Sequence, residues 1–237
     1  ANIQEIIQKS PNRIEPQCSV FGDCGGCHWQ NMTYGTQLKA KENIVIETLE
    51  RVGKIKQPPV LPIIGSNKPF EYRNHVVWHW DGNALGYYAY QSNKVIAFSQ
   101  CHLVPEAINT IYKQLPAILN SINTALEVDI KWSTQNEILL TFMGEEEPKE
   151  YYIQKLTAEN PNITGICYQN EESEEVLFGT PYITEIINGN AFQISAGSFF
   201  QVNNTAVEQL VNTLEQWLKD TTGKTMLDAY AGVGLFS

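Results

Sequence analysis

The chain has 237 residues, of which 43% are hydrophobic and 18% are charged, and its formal net charge at pH 7 is −10. This composition is typical of a globular protein, and the length allows one large domain or one domain and part of another. No run of 18 apolar residues is present, which excludes a transmembrane helix. The first residues lack the basic and apolar regions of a signal peptide, so we expect a cytoplasmic protein without membrane contacts.

The negative charge alone argues against nucleic-acid binding, because phosphate contacts need Lys and Arg. The acid is unevenly spread, however, since seven carboxylates lie in the two short stretches 145–147 and 171–175. Both stretches are typical of solvated loops. A less acidic surface in the first 75 residues therefore stays compatible with RNA.

Apolar periodicity and turn residues predict the secondary structure in chain order. A helix over 33–52 begins at Thr33 and ends before Gly53, and a proline-containing connector follows. The next predicted elements are strands at 76–80, 85–90 and 95–98, a helix at 105–121, strands at 128–133 and 136–143, a helix at 149–158, a strand at 163–169 and a β-rich stretch at 176–195.

The last forty residues have a different character. Apolar residues between Val207 and Leu218 have the spacing of an amphipathic helix. A buried-type strand over 225–230 then leads into a glycine-rich turn at 231–234, which is typical of the opening of an α/β nucleotide-binding unit. A plain strand-to-helix turn is the alternative. One strand and one helix do not make a doubly wound sheet, so we expect the chain to stop inside a domain.

Four of the five cysteines have spacings that indicate a metal centre. They are Cys18, Cys24, Cys27 and Cys101. Gly25 and Gly26 permit the close backbone approach that a tight ligand loop needs. Four thiolates fit either tetrahedral zinc or an iron–sulfur cluster, and a local triplet with one distant ligand favours the cluster. Cys167 lies in an apolar strand and is predicted to be a small buried hydrophobe.

Several ordered motifs resemble those of the RNA 5-methyluridine (uracil-C5) methyltransferase family, in its iron–sulfur-containing 23S rRNA type. In chain order they are Cys18-x5-Cys24-Gly-Gly-Cys27, Tyr34-x2-Gln37-Leu38-x2-Lys41, Phe70-x-Tyr72-Arg73-Asn74, Cys101, Phe199-Phe200-Gln201-Val202-Asn203 and Leu227-Asp228-x-Tyr230-x-Gly232-Val233-Gly234. The resemblance extends over residues 10–237, and the presence of several motifs in the right order makes it more specific than any one of them.

The resemblance implies an α+β fold with two parts. A central β-rich iron–sulfur domain at 13–195 would be followed by the truncated start of a Rossmann-like, S-adenosylmethionine-dependent methyltransferase domain at 196–237. Residues 1–12 would be the remnant of an N-terminal RNA-binding barrel or a linker. The helix at 33–52 would dock on the catalytic domain.

The resemblance also implies site residues. The four clustered cysteines would hold a [4Fe-4S] cluster. The residues implied to bind S-adenosylmethionine are Gln201, Tyr230, Gly232, Gly234 and Leu235, although many relatives have a polar residue at the last position. Arg73, Phe199 and Phe200 are implied to contact RNA, while pairing with a carboxylate for Arg73 and core packing for the two phenylalanines remain alternatives.

In the family that these motifs resemble, a cysteine thiolate attacks C6 of uracil, C5 accepts the methyl group, and a carboxylate base removes the C5 proton. Both groups follow the glycine-rich turn in that family, so no catalytic residue is expected in this chain, which would be inactive alone. We expect a monomer that acts on RNA, with rRNA preferred over tRNA. The alternatives are a non-catalytic iron–sulfur or zinc module that binds RNA or a partner protein, and an iron–sulfur redox protein.

Overall fold

The computed structural model describes residues 5–221 and 223–237, and the elements below are those of this part of the chain. In order they are α1 (Tyr34–Arg51), β1 (His75–Trp80), β2 (Leu85–Tyr88), β3 (Val95–Ile96), α2 (Glu106–Leu119), β4 (Leu126–Trp132), β5 (Ile138–Gly144), α3 (Glu150–Glu159), β6 (Ile163–Gln169), β7 (Glu174–Gly179), β8 (Tyr182–Ile187), β9 (Asn190–Ser195) and α4 (Asn204–Leu218). The helices and strands predicted between residues 33 and 218 are confirmed, with ends that differ by a few residues. Among the described helices, none combines the length and apolarity that a bilayer crossing requires.

Seven of the strands form one mixed sheet in the order β3-β2-β1-β4-β5-β6-β7, and β8 pairs with β9 in a separate hairpin. Neighbours in the large sheet are antiparallel except β5 and β6, which run parallel. A parallel pair needs a long crossover, and α3 supplies it. In β1, residues 76, 78 and 80 are buried while 75, 77 and 79 are partly exposed, as expected for side chains that alternate between two faces.

The main core lies between one face of the large sheet and α2. The apolar positions of α2 repeat at helical spacing, so that one side of the helix is buried throughout. Trp78 is fully buried and packs its ring against Tyr112 of α2, with centroids 4.8 Å apart. Each fully buried side chain of this size contributes on the order of 1.5–3 kcal/mol through burial. The β1–α2 contact is therefore a major source of stability.

A second core covers the opposite face of the sheet. Leu139 of β5 and Cys167 of β6 point into it, together with apolar residues of the β8–β9 hairpin and Val207 of α4. α4 begins at residue 204 because the side chain of Asn203 accepts a hydrogen bond from the N–H of Ala206 at 3.1 Å. Cys167 is fully buried, which confirms its prediction as a small core hydrophobe.

The predicted division into an iron–sulfur domain followed by the start of a Rossmann-like methyltransferase domain is wrong. The cysteine loop at 18–27 has no core of its own, because Cys27 and Cys101 pack against the main core of the large sheet. The segment after residue 180 packs on the other face of that same sheet. Both faces are apolar, so the two layers share one sheet. Within the described residues there is no separate iron–sulfur domain, and no group of three or more His, Cys, Asp or Glu side chains is arranged to hold a metal ion.

The strand predicted over 225–230 is also wrong. The structure shows turns and irregular backbone there, and Leu227 and Tyr230 are 87% and 103% exposed. A buried strand must pair its backbone polar groups with a neighbour, and no strand in the described part of the chain pairs with this segment. Apolar composition alone does not create the pairing.

The remaining predictions about organisation stay predictions. α1 has no buried residue, so its docking on a catalytic domain is not decided by contacts in this chain. The boundaries at residues 12 and 195 are likewise predictions. Residues 1–4 of the predicted remnant and residue 222 lie outside the described residues.

Candidate cysteine centre and cofactor site

The four cysteines predicted as metal ligands line one cavity of about 20 Å³. All of them are free thiols, with Cys101 buried and Cys18, Cys24 and Cys27 half-buried. The aromatic rings of Tyr87 and Phe98 form part of the wall. The fold thus gathers a loop near the start of the chain and a residue more than 70 positions later around one space.

Main-chain hydrogen bonds fix the shape of the 18–27 loop. The N–H of Gly25 donates to the carbonyl of Tyr88 in β2 at 2.9 Å. A Cβ at residue 25 would lie 2.7 Å from that carbonyl oxygen, so only glycine permits the approach. The N–H of Gly26 donates to Sγ of Cys24 at 3.4 Å. The glycine pair therefore both docks the loop on the sheet and directs a donor at a sulfur.

Cys101 is held by a side chain that the sequence did not identify. Asn109 of α2 accepts a hydrogen bond from the Cys101 N–H at 2.9 Å and donates to the Cys101 carbonyl at 3.1 Å. Asn109 is 1% exposed. A polar residue on the buried side of an amphipathic helix was the available signal, because such a group must find a partner.

Burial dominates the electrostatics of the cavity. It raises the pKa of the Cys101 thiol to about 11, and neighbouring thiols add to the rise. Burial also raises the pKa values of Cys24 and Cys27, against hydrogen bonds from Gly26 and Gln30 that lower them. The three thiols are thus protonated at neutral pH, and a metal that binds them has to displace their protons.

A four-residue segment, 71–74, connects the cysteine centre with the predicted cofactor residues. On one side, the N–H groups of Glu71 and Arg73 donate to the carbonyls of His102 and Leu103, at 2.9 and 2.8 Å. On the other side, the N–H of Asn74 donates to the carbonyl of Val202 at 3.0 Å. The loop that carries Cys101 and the segment around Gln201 therefore share one support.

The segment 199–203 places its side chains differently. Phe199 is 71% exposed, whereas Phe200 is 6% exposed and belongs to the second core. Core packing, one of the two readings of these residues, thus describes Phe200. The Gln201 carbonyl accepts a hydrogen bond from the Asn74 side chain at 3.0 Å. The guanidinium of Arg73 donates from Nε to the carbonyl of His75 at 3.1 Å, and no described carboxylate pairs with it.

The glycine-rich turn lies against the second core. Val233 and Leu235 pack on the apolar cluster that also contains Phe200. Gly232 and Gly234 have positive φ values of 60° and 79°, a conformation that glycine adopts at little cost. The structure thus brings the turn and the Gln201 segment to one apolar cluster. Leu235 is a packing residue there, and its contact with a cofactor stays a prediction.

Comparison with known proteins finds relatives that are all named as RNA methyltransferases. An uncharacterized RNA methyltransferase of Aquifex aeolicus is 31% identical over 245 residues, covering 100% of this chain and 57% of that protein. Similar proteins of Halalkalibacterium halodurans and Thermosynechococcus vestitus are 30% and 29% identical, over 99% of this chain and 57% and 58% of theirs. The chain is thus similar in sequence to proteins that are named RNA methyltransferases. It spans a little over half the length of these curated relatives, and no family model matches it.

A solved structure shows the same fold. The crystal structure of Pyrococcus abyssi tRNA (uracil-54, C5)-methyltransferase in complex with S-adenosyl-L-homocysteine matches 98% of this chain and 57% of its own, with a TM-score of 0.72 and 19% identity. The match runs through the sheet, the hairpin and α4 as one fold. It therefore agrees with the correction above, since the chain does not divide into a separate iron–sulfur domain and a second domain.

Proposed function

We propose that this chain is part of an enzyme that transfers a methyl group from S-adenosylmethionine to C5 of a uridine in RNA. The observation that carries the proposal is the match of 98% of the chain to the fold of a tRNA uracil-C5 methyltransferase. The homology to RNA methyltransferases along the whole chain supports the same activity.

The proposed donor site consists of Gln201 and the glycine-rich turn, with Tyr230, Gly232, Gly234 and Leu235 as its further members. When bound, S-adenosylmethionine supplies an electrophilic methyl group. The contribution of this chain is to bind and orient that molecule. Support comes from the second core, on which the turn and the residue before Gln201 both pack.

The proposed RNA contacts are Arg73 and Phe199, with Phe200 as the packed support beneath. An exposed aromatic ring can stack on an unpaired base, and a base that is modified must leave its stack. The backbones of Arg73 and Asn203 form an isolated antiparallel β-bridge, so Arg73 lies beside the 199–203 segment. We propose rRNA as the substrate class on the resemblance of the cysteine motif, and tRNA is the class of the solved neighbour.

We also propose that the cysteine cavity holds a [4Fe-4S] cluster. In a cubane cluster each thiolate binds a different iron, so the four sulfurs surround a volume and do not share one ion. A Cys₄ zinc site, in which all four sulfurs bind one ion, is the alternative. The donor set, with four free cysteines and an N–H directed at Cys24 Sγ, fits a cluster.

The activity is tested with the full-length protein, S-adenosylmethionine carrying a labelled methyl group, and in vitro transcripts of rRNA and tRNA. We expect 5-methyluridine in one of the two RNAs, identified by mass spectrometry of nucleosides, with rRNA as the labelled class. Gln201→Ala should raise KM for the donor, whereas Gln216→Ala, an exposed glutamine of α4, should not. Label on another base, or on neither RNA, would contradict the proposal.

The cluster is tested by iron and acid-labile sulfide analysis of protein purified without oxygen. Cys101→Ser should lose most of both, because it removes one of four ligands. Cys167→Ser, whose sulfur lies in the second core, should retain them. Stoichiometric zinc without sulfide in the wild type would disprove the cluster and leave the methyltransferase proposal standing.

A further inference from the structure

A carboxylate with no role in the proposed site is buried in the second layer of the fold. Glu185 of β8 is 0% exposed. It accepts hydrogen bonds from the N–H of Thr134 at 3.0 Å, from the N–H of Ile186 at 3.1 Å and from the hydroxyl of Thr134. Burial of a carboxylate is costly unless donors surround it, and these donors meet that need.

The fourth donor to Glu185 begins a chain of side chains. Nδ2 of Asn204, the first residue of α4, donates to Glu185 at 2.6 Å. Oδ1 of Asn204 accepts from Nδ2 of Asn74, which also donates to the carbonyl of Gln201 at 3.0 Å. Asn204 and Asn74 are 8% and 6% exposed. Three buried side chains thus connect β8 to the main chain of Gln201.

The carboxylate determines the direction of this chain. Both carboxylate oxygens of Glu185 accept hydrogen bonds, so Asn204 presents its amide NH₂ to Glu185. The oxygen of Asn204 then faces Asn74, and Asn74 must in turn present its own NH₂. That group has a second hydrogen, which is available for the Gln201 carbonyl. One acceptor therefore selects the amide orientation of both asparagines.

We propose that Glu185 is a positioning residue for the methyl-donor site, which acts through Asn204 and Asn74 to fix the main chain at Gln201. This inference rests on the proposed function, in which Gln201 contacts S-adenosylmethionine. Glu185 itself touches neither donor nor RNA in this arrangement. Its effect is to hold the 199–203 segment in one conformation before the donor binds.

The first experiment measures amide hydrogen exchange of the full-length protein without ligand. Glu185→Gln introduces an NH₂ that faces other donors, so peptides covering 199–204 should exchange faster. The matched control is Glu137→Gln, because Glu137 holds the same strand through the N–H of Thr184 at 2.5 Å and does not touch Asn204. Equal exchange in both variants, or no change in either, would overturn the inference.

The second experiment measures the affinity for S-adenosylhomocysteine by calorimetry. Glu185→Gln and Asn74→Ala should each weaken binding about tenfold, which is the upper end of the range for the loss of one neutral hydrogen bond. The double variant should be no weaker than either single variant, since both act through one chain. Additive losses, or faster exchange at 199–204 with unchanged affinity, would disprove the positioning role.

The two proposals fail in different ways. A wild-type protein that exchanges slowly at 199–204 and binds no S-adenosylhomocysteine would refute the donor site, while the exchange comparison would still decide whether Glu185 fixes the segment. Should Glu185→Gln not fold, Asn74→Ala carries both measurements. It removes the last link and leaves the donors of Glu185 in place.

Discussion

The cysteine cavity and the glycine-rich turn are two candidate binding regions that differ in how far the surrounding residues enclose them. The cavity is enclosed by residues of the 18–27 loop, β2 and the segment before α2, and its predicted ligand Cys101 is buried. At the turn, Val233 and Leu235 pack on the second core, and Tyr230 is fully exposed.

The difference between the two regions lies in their supports. The cysteine loop and Cys101 are both bonded to regular elements within the described residues, since Gly25 is bonded to β2 and Cys101 to α2. The strand that would support the turn has no partner there. The conformation of a binding loop thus depends on the helices and strands to which its backbone is bonded.

The largest effect is expected from removing the core behind the cysteine cavity. Trp78→Ala should lower the free energy of unfolding by about 3–5 kcal/mol, because it leaves a cavity in a fully packed site. The rings of Tyr87 and Phe98, which line the cysteine cavity, pack edge-on against Trp78. Urea denaturation measures the loss. Trp217→Ala, at a position 67% exposed, is the control, and an equal loss there would contradict the expectation.

The next effect concerns the hairpin on which the cysteine loop docks. A Cβ at residue 86 would lie 2.0 Å from the carbonyl oxygen of Ile96, so Gly86→Ala forces β2 and β3 apart. We expect a loss of about 3 kcal/mol, at the upper end for overpacking. Gly35→Ala places its methyl group in open space in the first turn of α1 and should stabilise slightly. Thermal unfolding of the two variants should shift in opposite directions.

A smaller, pH-dependent loss of stability is expected at the contact between β4 and residues 195–196, which precede Gln201. Lys131 of β4 donates to the carbonyls of Ser195 and Ala196, and Lys131→Met should cost about 1–2 kcal/mol at pH 7. Burial lowers the pKa of Lys131 below 10.5, against the opposite effect of Asp129. The unfolded chain therefore holds this proton to a higher pH than the folded protein.

Wild-type stability relative to Lys131→Met should then rise as pH rises from the lowered pKa through 10.5. Urea midpoints of both proteins between pH 7 and 10.5 measure the difference. If the stability difference between the wild type and Lys131→Met instead shrinks as pH rises, the ion pair with Asp129 affects the pKa of Lys131 more than burial does.

The smallest effect on stability is expected in the glycine-rich turn. Tyr230 has no burial to lose, so Tyr230→Ala should leave the urea midpoint unchanged. In the full-length protein the same change should weaken binding of S-adenosylhomocysteine. A large loss of stability would show that Tyr230 is packed. The contrast between the cysteine cavity and the turn would then not hold.

The sequence predicted the elements that depend on local periodicity. Apolar spacing identified α1, α2 and α4, and turn residues separated the strands, because these signals are contained in neighbouring residues. The strand at 225–230 and the division into domains were wrong for a common reason. Both depend on which distant segments pair or share a sheet face, and composition does not encode this.

The four cysteines were predicted from sequence as one set of metal ligands. They line one cavity, and their role as ligands stays a prediction. Their supports were missed. Glu185 had a usable signal, because it lies between Ile183 and Ile187 on the buried face of β8. A charged residue at an inward position of a strand indicates a buried hydrogen-bond network, since it would otherwise be unstable there.

The bond between Asn74 and Gln201 joins residues 127 positions apart. During synthesis at about 5–20 residues per second, Asn74 leaves the ribosome about 6–25 s before Gln201 does. β1 and its neighbours have ample time to form in that interval, with the polar end of β1 still hydrated. The bond between Asn74 and Gln201 is consequently among the last contacts that a newly made chain acquires, and an interrupted product would keep its sheet and lack that bond.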